Sequence, residues 1–343
     1  MIPISASTSF DLSLETVGQY LTESGYAADA DVTATRLGGG VSNHVIVTRV
    51  GGECLVLKQP LPDLDIAEDW PADVERIHKD SGDPCVRIDL DGTELAATVP
   101  GVLFEDRDYH IVGMECAPSN ARTWKEDLLE GTIDRGVARE VGRALGTVHE
   151  AAATDLELLA PFEEVLPFVQ LRIDPYHRTV MDRHPDVNEY VGEATETLLE
   201  SRWTLVHGDY SPKNVLVENR DGVHVWILNF EVAHRGNPSF DTAFMLNHLY
   251  FKSVYNSERA VAYHDAARAF FGAYDEAVSW DIEADTVEQL GVLMLARVDG
   301  KSPVEYVTRE GTKATLRRVV KRTLVENARD LREFETILRA ERA

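Results

Sequence analysis

Two hydrophobic patterns divide the chain. In the first third, apolar residues come in short runs separated by turns. Thr35-Arg36-Leu37 enters Gly38-Gly39-Gly40-Val41-Ser42-Asn43, followed by Val45-Ile46-Val47-Thr48 and Cys54-Leu55-Val56-Leu57-Lys58. This predicts strand, glycine turn, strand, turn, strand. Tyr109 to Glu115 is a further strand, ended by Pro118, and residues 83–99 are expected to supply the remaining edge strands. Helical spacing surrounds and follows this block. Asp11 to Gly25 places Leu14, Val17 and Leu21 on one face, and a helix from Asp69 to Asp80 begins with Asp69 as cap and Pro71 in its first turn. Beyond residue 120 the helical period dominates: Trp124 to Glu130, Arg139 to Ala152 with Val141, Leu145 and Val148 on one face, Asn188 to Arg202, Thr242 to Leu249, and a final helix from Thr312 to Ala343.

One stretch breaks the helical run. Leu205-Val206 and Val215-Leu216-Val217 are short apolar runs, and a third, Val225-Trp226-Ile227-Leu228, follows. Between the first two lies a polar loop, His207-Gly208-Asp209-Tyr210-Ser211-Pro212-Lys213-Asn214. Such loops, fixed between buried strands, are where reactive groups sit. Asp209 and Asn214 are five residues apart, an acid and a neutral oxygen ligand. That spacing resembles the kinase catalytic loop, where the acid takes or orients a hydroxyl proton and the amide holds magnesium.

His-Gly-Asp with Asn five residues beyond the acid resembles the aminoglycoside phosphotransferase and choline kinase family, and further pieces follow in order from about residue 35 to 303. The resemblance implies an α+β, protein-kinase-like two-lobed fold, with a small antiparallel-sheet lobe over residues 1–113, a hinge at 114–120 and a larger, mostly helical lobe over 121–343. It implies transfer of the γ-phosphate of ATP to a hydroxyl of a small molecule such as an aminoglycoside, amino alcohol or sugar. Asp209 is then the catalytic acid. Gly38, Gly39 and Gly40, with Ser42, Asn43 and Lys58, hold nucleotide phosphates. Asp80 steadies Lys58, with Glu75 as the competing partner, and backbone groups near Glu115 and Ala117 meet adenine. Asn214 binds Mg2+. The family's main metal ligand, an acid in an Asp-Phe-Glu pattern, is replaced here by Asn229 in Asn229-Phe230-Glu231. Read as a strand, this puts Asn229 and Glu231 on one face, so that Glu231 can also reach the ion. The alternative is a nucleotide-binding pseudokinase with weak or no transfer. Asp241 is expected to receive backbone donors from the Asp209 loop, and His149 to serve packing. Arg297 to Pro303 is read equally as part of the acceptor site or as a surface loop. Gly300-Lys301-Ser302 is no P-loop, because the position five residues before Gly300 is Leu295.

Composition narrows the partners. The chain has 343 residues, enough for two lobes, and 44% of them are apolar. No apolar run approaches the roughly 18 residues of a membrane span, and Met1 to Thr8 lacks a basic, then apolar, leader. Cys54, Cys85 and Cys116 are widely spaced and read as reduced thiols of a cytoplasmic protein. A net charge of −25 argues against nucleic acid as a partner. Only eight of the 34 basic residues are lysine. Acid excess with arginine favoured resembles a protein of a high-salt cytoplasm. Acid is so general that it says nothing about the charge of the substrate. The oligomeric state is not legible.

Overall fold

The structure, a computed structural model, describes residues 10–27, 31–38, 40–65, 69–82, 97–219 and 222–342. They form two compact units, one made of the residues up to 82 together with 100–116, the other of 97–99 together with 117–342.

The first unit is built on five antiparallel strands in the order β1 (Val32–Arg36), β2 (Asn43–Val50), β3 (Glu53–Pro60), β6 (Ile111–Glu115), β5 (Val102–Asp106). Alternation along β3 divides its two faces. Leu55 and Leu57 join Ile46 and Ile111 in a core with Val17, Tyr20 and Leu21 of the helix Val17–Glu23. Val56 points the other way, to Ile77, Val112 and Met114. Lys58 shares that second face with Val56, so the strand period aims it toward the helix that carries Ile77.

Two helices differ from expectation. The first is shorter than Asp11 to Gly25: Ser13 and Thr16 bond to each other in a turn, Leu14 is exposed, and Gly25 (φ 77°) ends the element. The second does not start at Asp69. Pro71 bridges back to Asp63 in extended form, and a 3-10 helix runs over Val74–Gly82. Of the proposed edge strands within 83–99, residues 83–96 lie outside the described residues. The remainder, β4 (Ala97–Thr98), pairs in parallel with β10 (Val223–Ile227) of the second unit and adds nothing to the first sheet.

The cysteine expectation is also corrected. Cys54 and Cys116 form a disulfide. Leu55 pairs with Glu115 across β3 and β6, so the residue preceding one falls opposite the residue following the other.

The second unit is mainly helical. Its four-stranded sheet has the order β4, β10, β9 (Val215–Asn219), β7 (Arg122–Thr123), and β8 (Thr204–Val206) pairs with β11 (His234–Gly236). The helices Arg135–Thr154 and Ala260–Asp275 pack so closely that a Cβ on Gly142 would overlap the Phe270 carbonyl oxygen. The expected single C-terminal helix is two, Glu310–Val325 and Leu331–Arg342, broken near Asn327 (φ 53°). Among the described residues no helix is long and apolar enough to cross a membrane.

Candidate active site

In the second unit the polar loop leaves β8 at His207. Its shape is set by Asp241, buried at the start of the helix Ser239–Tyr255. Asp241 accepts hydrogen bonds from the backbone N–H groups of His207 (2.6 Å) and Gly208 (2.8 Å). His149, buried behind it, reaches the same carboxylate at 3.3 Å and the Tyr274 hydroxyl at 3.2 Å. Gly208 adopts φ 74°, and a Cβ there would press on the Val232 carbonyl oxygen at 2.7 Å, so glycine is required. The His207 ring donates from Nε2 to the Leu228 carbonyl (3.1 Å) and accepts at Nδ1 from the Asp209 N–H (3.1 Å). One imidazole thus ties the loop to the end of β10 and orients the next residue.

Asp209 is buried and heavily contacted. Arg172 Nη2 meets Oδ1 at 2.8 Å, Lys213 Nζ meets Oδ2 at 3.0 Å, and Asn214 Nδ2 donates to Oδ2 at 2.8 Å and to the Asp209 carbonyl at 2.9 Å. Burial alone would raise its pKa, but Arg172 and Lys213 outweigh burial and hold it at about 2. Arg172 also donates from Nε to the Gly208 carbonyl (2.7 Å), so it clamps both backbone and acid. Sequence reasoning missed this residue. It lies in a π-helical segment, Val169–Arg178, that carries Pro175 inside it. A proline within an otherwise helical stretch was the available signal, since π-turns gather at functional sites.

Asn229 and Glu231 are not in a strand. β10 ends at Ile227, and Asn229 takes φ 76°, a left-handed conformation that asparagine tolerates. The alternation argument therefore fails, yet the turn still brings the two side chains together: Asn229 Nδ2 donates to Glu231 Oε1 at 3.3 Å. Glu231 is buried, and its charge acts on Arg172.

In the first unit, Lys58 Nζ meets Asp80 Oδ2 at 2.9 Å, with both side chains buried. Glu75, the competing candidate, lies instead by His78 (3.8 Å) and His110 (3.7 Å), the one group among the described residues able to converge three His or Glu donors on a metal ion. Gly38 and Gly40 flank Gly39, which lies outside the described residues. A side chain added at either would meet nothing within 4 Å, so packing does not demand glycine there. Ser42 accepts at its carbonyl from Leu61 N–H (2.8 Å) and from buried Arg76 (2.7 Å), and the Asn43 amide donates to the Ser42 hydroxyl at 3.3 Å. Arg76, also missed, fastens the base of the glycine turn to the helix that holds Asp80. Glu115 ends β6 with its N–H given to the Gly101 carbonyl (2.8 Å) and its carboxylate accepting from Gly101 N–H (2.9 Å). That backbone donor is committed within the unit. Ala117 is the first residue of the second unit's longer segment.

An antiparallel sheet with a lysine–acid pair, and a helical unit with an Asp–Asn loop, define the protein-kinase-like class. Comparison gives the family. The sequence profile of the phosphotransferase enzyme family matches residues 33–277, and the chain belongs to that family. It is an enzyme class that moves phosphoryl groups to small molecules. Similar solved structures include the macrolide 2'-phosphotransferase MphH from Brachybacterium faecium (TM-score 0.52, 17% identity, 95% of this chain and 97% of that one). A choline/ethanolamine kinase family protein from Mesorhizobium loti gives 0.51, 18% identity, and 96% and 94% coverage. The amicoumacin kinase hAmiN, in complex with AMP-PNP and Ca2+, gives 0.53, 14% identity, and 89% and 91% coverage. At these identities they share the fold. No curated protein sequence matches the chain.

Proposed function

We propose that the protein transfers the γ-phosphate of ATP to a hydroxyl group of a small molecule. The observation that carries this is Asp209: a buried, ionised carboxylate fixed by Arg172, Lys213 and Asn214 on a loop whose backbone Asp241 holds. With its carboxyl at about 2, Asp209 is a weak base. It accepts the acceptor's O–H and aims the oxygen, and it receives the proton only as the new O–P bond forms and the bond to the departing ADP breaks. Lys58, fixed by Asp80, supplies positive charge to phosphates, and the open space over Gly38 and Gly40 admits them against backbone N–H groups.

Asn214, Asn229 and Glu231 offer only oxygen ligands once the amide nitrogens bond to acids, a donor set that suits Mg2+. When bound, that ion neutralises charge on the phosphates and on the departing ADP. The test is ADP release with Mg2+ or Mn2+ against a panel of small alcohols, alongside Asp209→Asn. Acceptor-dependent ADP release that the variant loses supports the reading. Release that survives the variant refutes the assignment.

The pseudokinase reading draws on Asn229, which brings an amide where the related pattern brings a charge. Its amide donates to Glu231, so Asn229→Asp would set two carboxylates about as close as that hydrogen bond unless a cation lies between them. For an active enzyme, Asn229→Asp is expected to tighten Mg2+ and raise turnover roughly tenfold, about 1.4 kcal/mol. Glu231→Gln is expected to weaken the metal severely if Glu231 is the principal ligand. Metal titrations that neither substitution moves would favour the pseudokinase.

A further inference from the structure

In a chain of net charge −25, cations normally meet carboxylates. Arg317 pairs with Asp299, Arg322 with Glu341 and Lys321 with Asp186. One place in the second unit departs from this. Three of the eight lysines, Lys125, Lys213 and Lys252, gather with Arg297 around His248. His248 and Lys252 lie one turn apart on the helix Ser239–Tyr255, and Arg297 comes from the helix Glu283–Asp299 packed against it.

Lys252 is 1% exposed, and among the described residues no carboxylate pairs with it. Among the described residues its ammonium has only the His248 carbonyl at 3.4 Å and the Tyr306 ring at 5.6 Å. Lys125 likewise has no carboxylate partner among the described residues. Arg297 binds Ser302 through Nη1, while its buried Nε and the buried Tyr306 hydroxyl have no hydrogen-bond partner among the described residues. The nearest acid along the chain, Asp299, is committed to His184 (2.9 Å) and Arg317 (2.6 Å). Burial, then Lys125 and Arg297, pull the Lys252 ammonium down to about 7, and burial, then Lys252 and Arg297, hold the His248 imidazole well below its ordinary range.

This cluster adjoins the reacting acid. Lys213 belongs to both, with its ammonium 3.0 Å from Asp209. Arg172, on the other Asp209 oxygen, lies over the Phe244 ring, which meets the His248 ring edge-on at 5.3 Å. A buried lysine repelled by neighbouring cations, beside the unmatched donors of Arg297 and Tyr306, is complementary to a missing anion.

We infer that the phosphate acceptor is an anionic alcohol. Its carboxylate or phosphate group binds among Lys125, Lys252 and Arg297, and its hydroxyl is presented to Asp209. This rests on the phosphotransferase reading of Asp209 and specifies the acceptor's charge.

The test uses matched three-carbon alcohols at fixed ionic strength: glycerol, glycerate and glycerol 3-phosphate, with ethanolamine and choline as cationic counterparts. ADP formation is measured for the wild type, Lys252→Met and Arg297→Gln. The expected result is at least tenfold higher kcat/KM for glycerate or glycerol 3-phosphate than for glycerol. Each variant should raise the anion's KM tenfold or more and erase the preference. The arm that wins separates carboxylate from phosphate. Preference for glycerol, ethanolamine or choline overturns the inference while leaving phosphotransfer intact. If no acceptor is turned over, calorimetric binding of glycerate, glycerol 3-phosphate and inorganic phosphate decides it. Wild-type binding that Lys252→Met and Arg297→Gln weaken tenfold supports the anion site even though the transfer reading has failed. Absent binding, or binding equal in all three proteins, overturns it.

Discussion

Asp209 illustrates how a residue's surroundings set its role. Three polar contacts, from Arg172, Lys213 and Asn214, hold a buried carboxylate in its ionised form, which suits it to aiming a hydroxyl rather than to strong base catalysis. Asp209→Asn is expected to lower turnover by about 10² to 10⁴, with nucleotide binding measured alongside to show that the site is intact. The depressed pKa also has a consequence for stability. A carboxyl held at about 2 instead of 3.8 stabilises the fold at every pH above 3.8, on the order of 2 kcal/mol, and loses that contribution as pH falls through 2. Acid unfolding followed by circular dichroism should therefore show a smaller loss of stability between about pH 4 and about pH 2 in Asp209→Asn than in the wild type.

At the level of elements, glycine and cysteine set the close contacts. The helices Arg135–Thr154 and Ala260–Asp275 approach at Gly142, where backbone lies against backbone. Gly142→Ala should push them apart and cost about 1–3 kcal/mol in chemical denaturation, despite alanine's better helix propensity. An unchanged midpoint would mean that the crossing is looser than described. The Cys54–Cys116 disulfide closes a separation of 62 residues across β3 and β6. Loop-closure entropy bounds its contribution at about 4 kcal/mol. Reduction, or Cys54→Ser, should lower stability by up to that amount. A thermal midpoint indifferent to reductant would count against the bond.

For the whole molecule, charge is the dominant variable. With 59 acidic against 34 basic residues, the folded chain repels itself at low ionic strength. Raising salt from about 0.1 M to 1 M shortens the screening length from roughly 10 Å to 3 Å. The thermal midpoint should rise across that range, most steeply at its low end. A midpoint that falls with salt would indicate that attractive ion pairs such as Arg317–Asp299 outweigh the general repulsion.

The strand–glycine–strand block, the Asp209 loop and Asp241's contacts with it were legible in the sequence. The block and the loop depend on local periodicity or on a spacing of a few residues, which the backbone converts directly into faces and turns, whereas Asp241's contacts, 33 and 34 residues from their donors, were implied by the family resemblance. Helix ends were less legible: Pro71 fits a first turn by local rules, but pairing with Asp63 holds it extended. Likewise, Asn229 and Glu231 meet in a turn that local alternation mistook for strand. Other features could be decided only by tertiary structure: Arg172 on Asp209, Asp80 rather than Glu75 on Lys58, Cys54 bonded to Cys116, and Lys125, Lys252 and Arg297 gathered around His248. Apart from His248 and Lys252, one helical turn apart, the partners in these contacts lie between 22 and 172 residues apart along the chain. Their meeting is fixed by which strand register and which helix crossing bury the most apolar surface, and no single stretch of sequence carries that information.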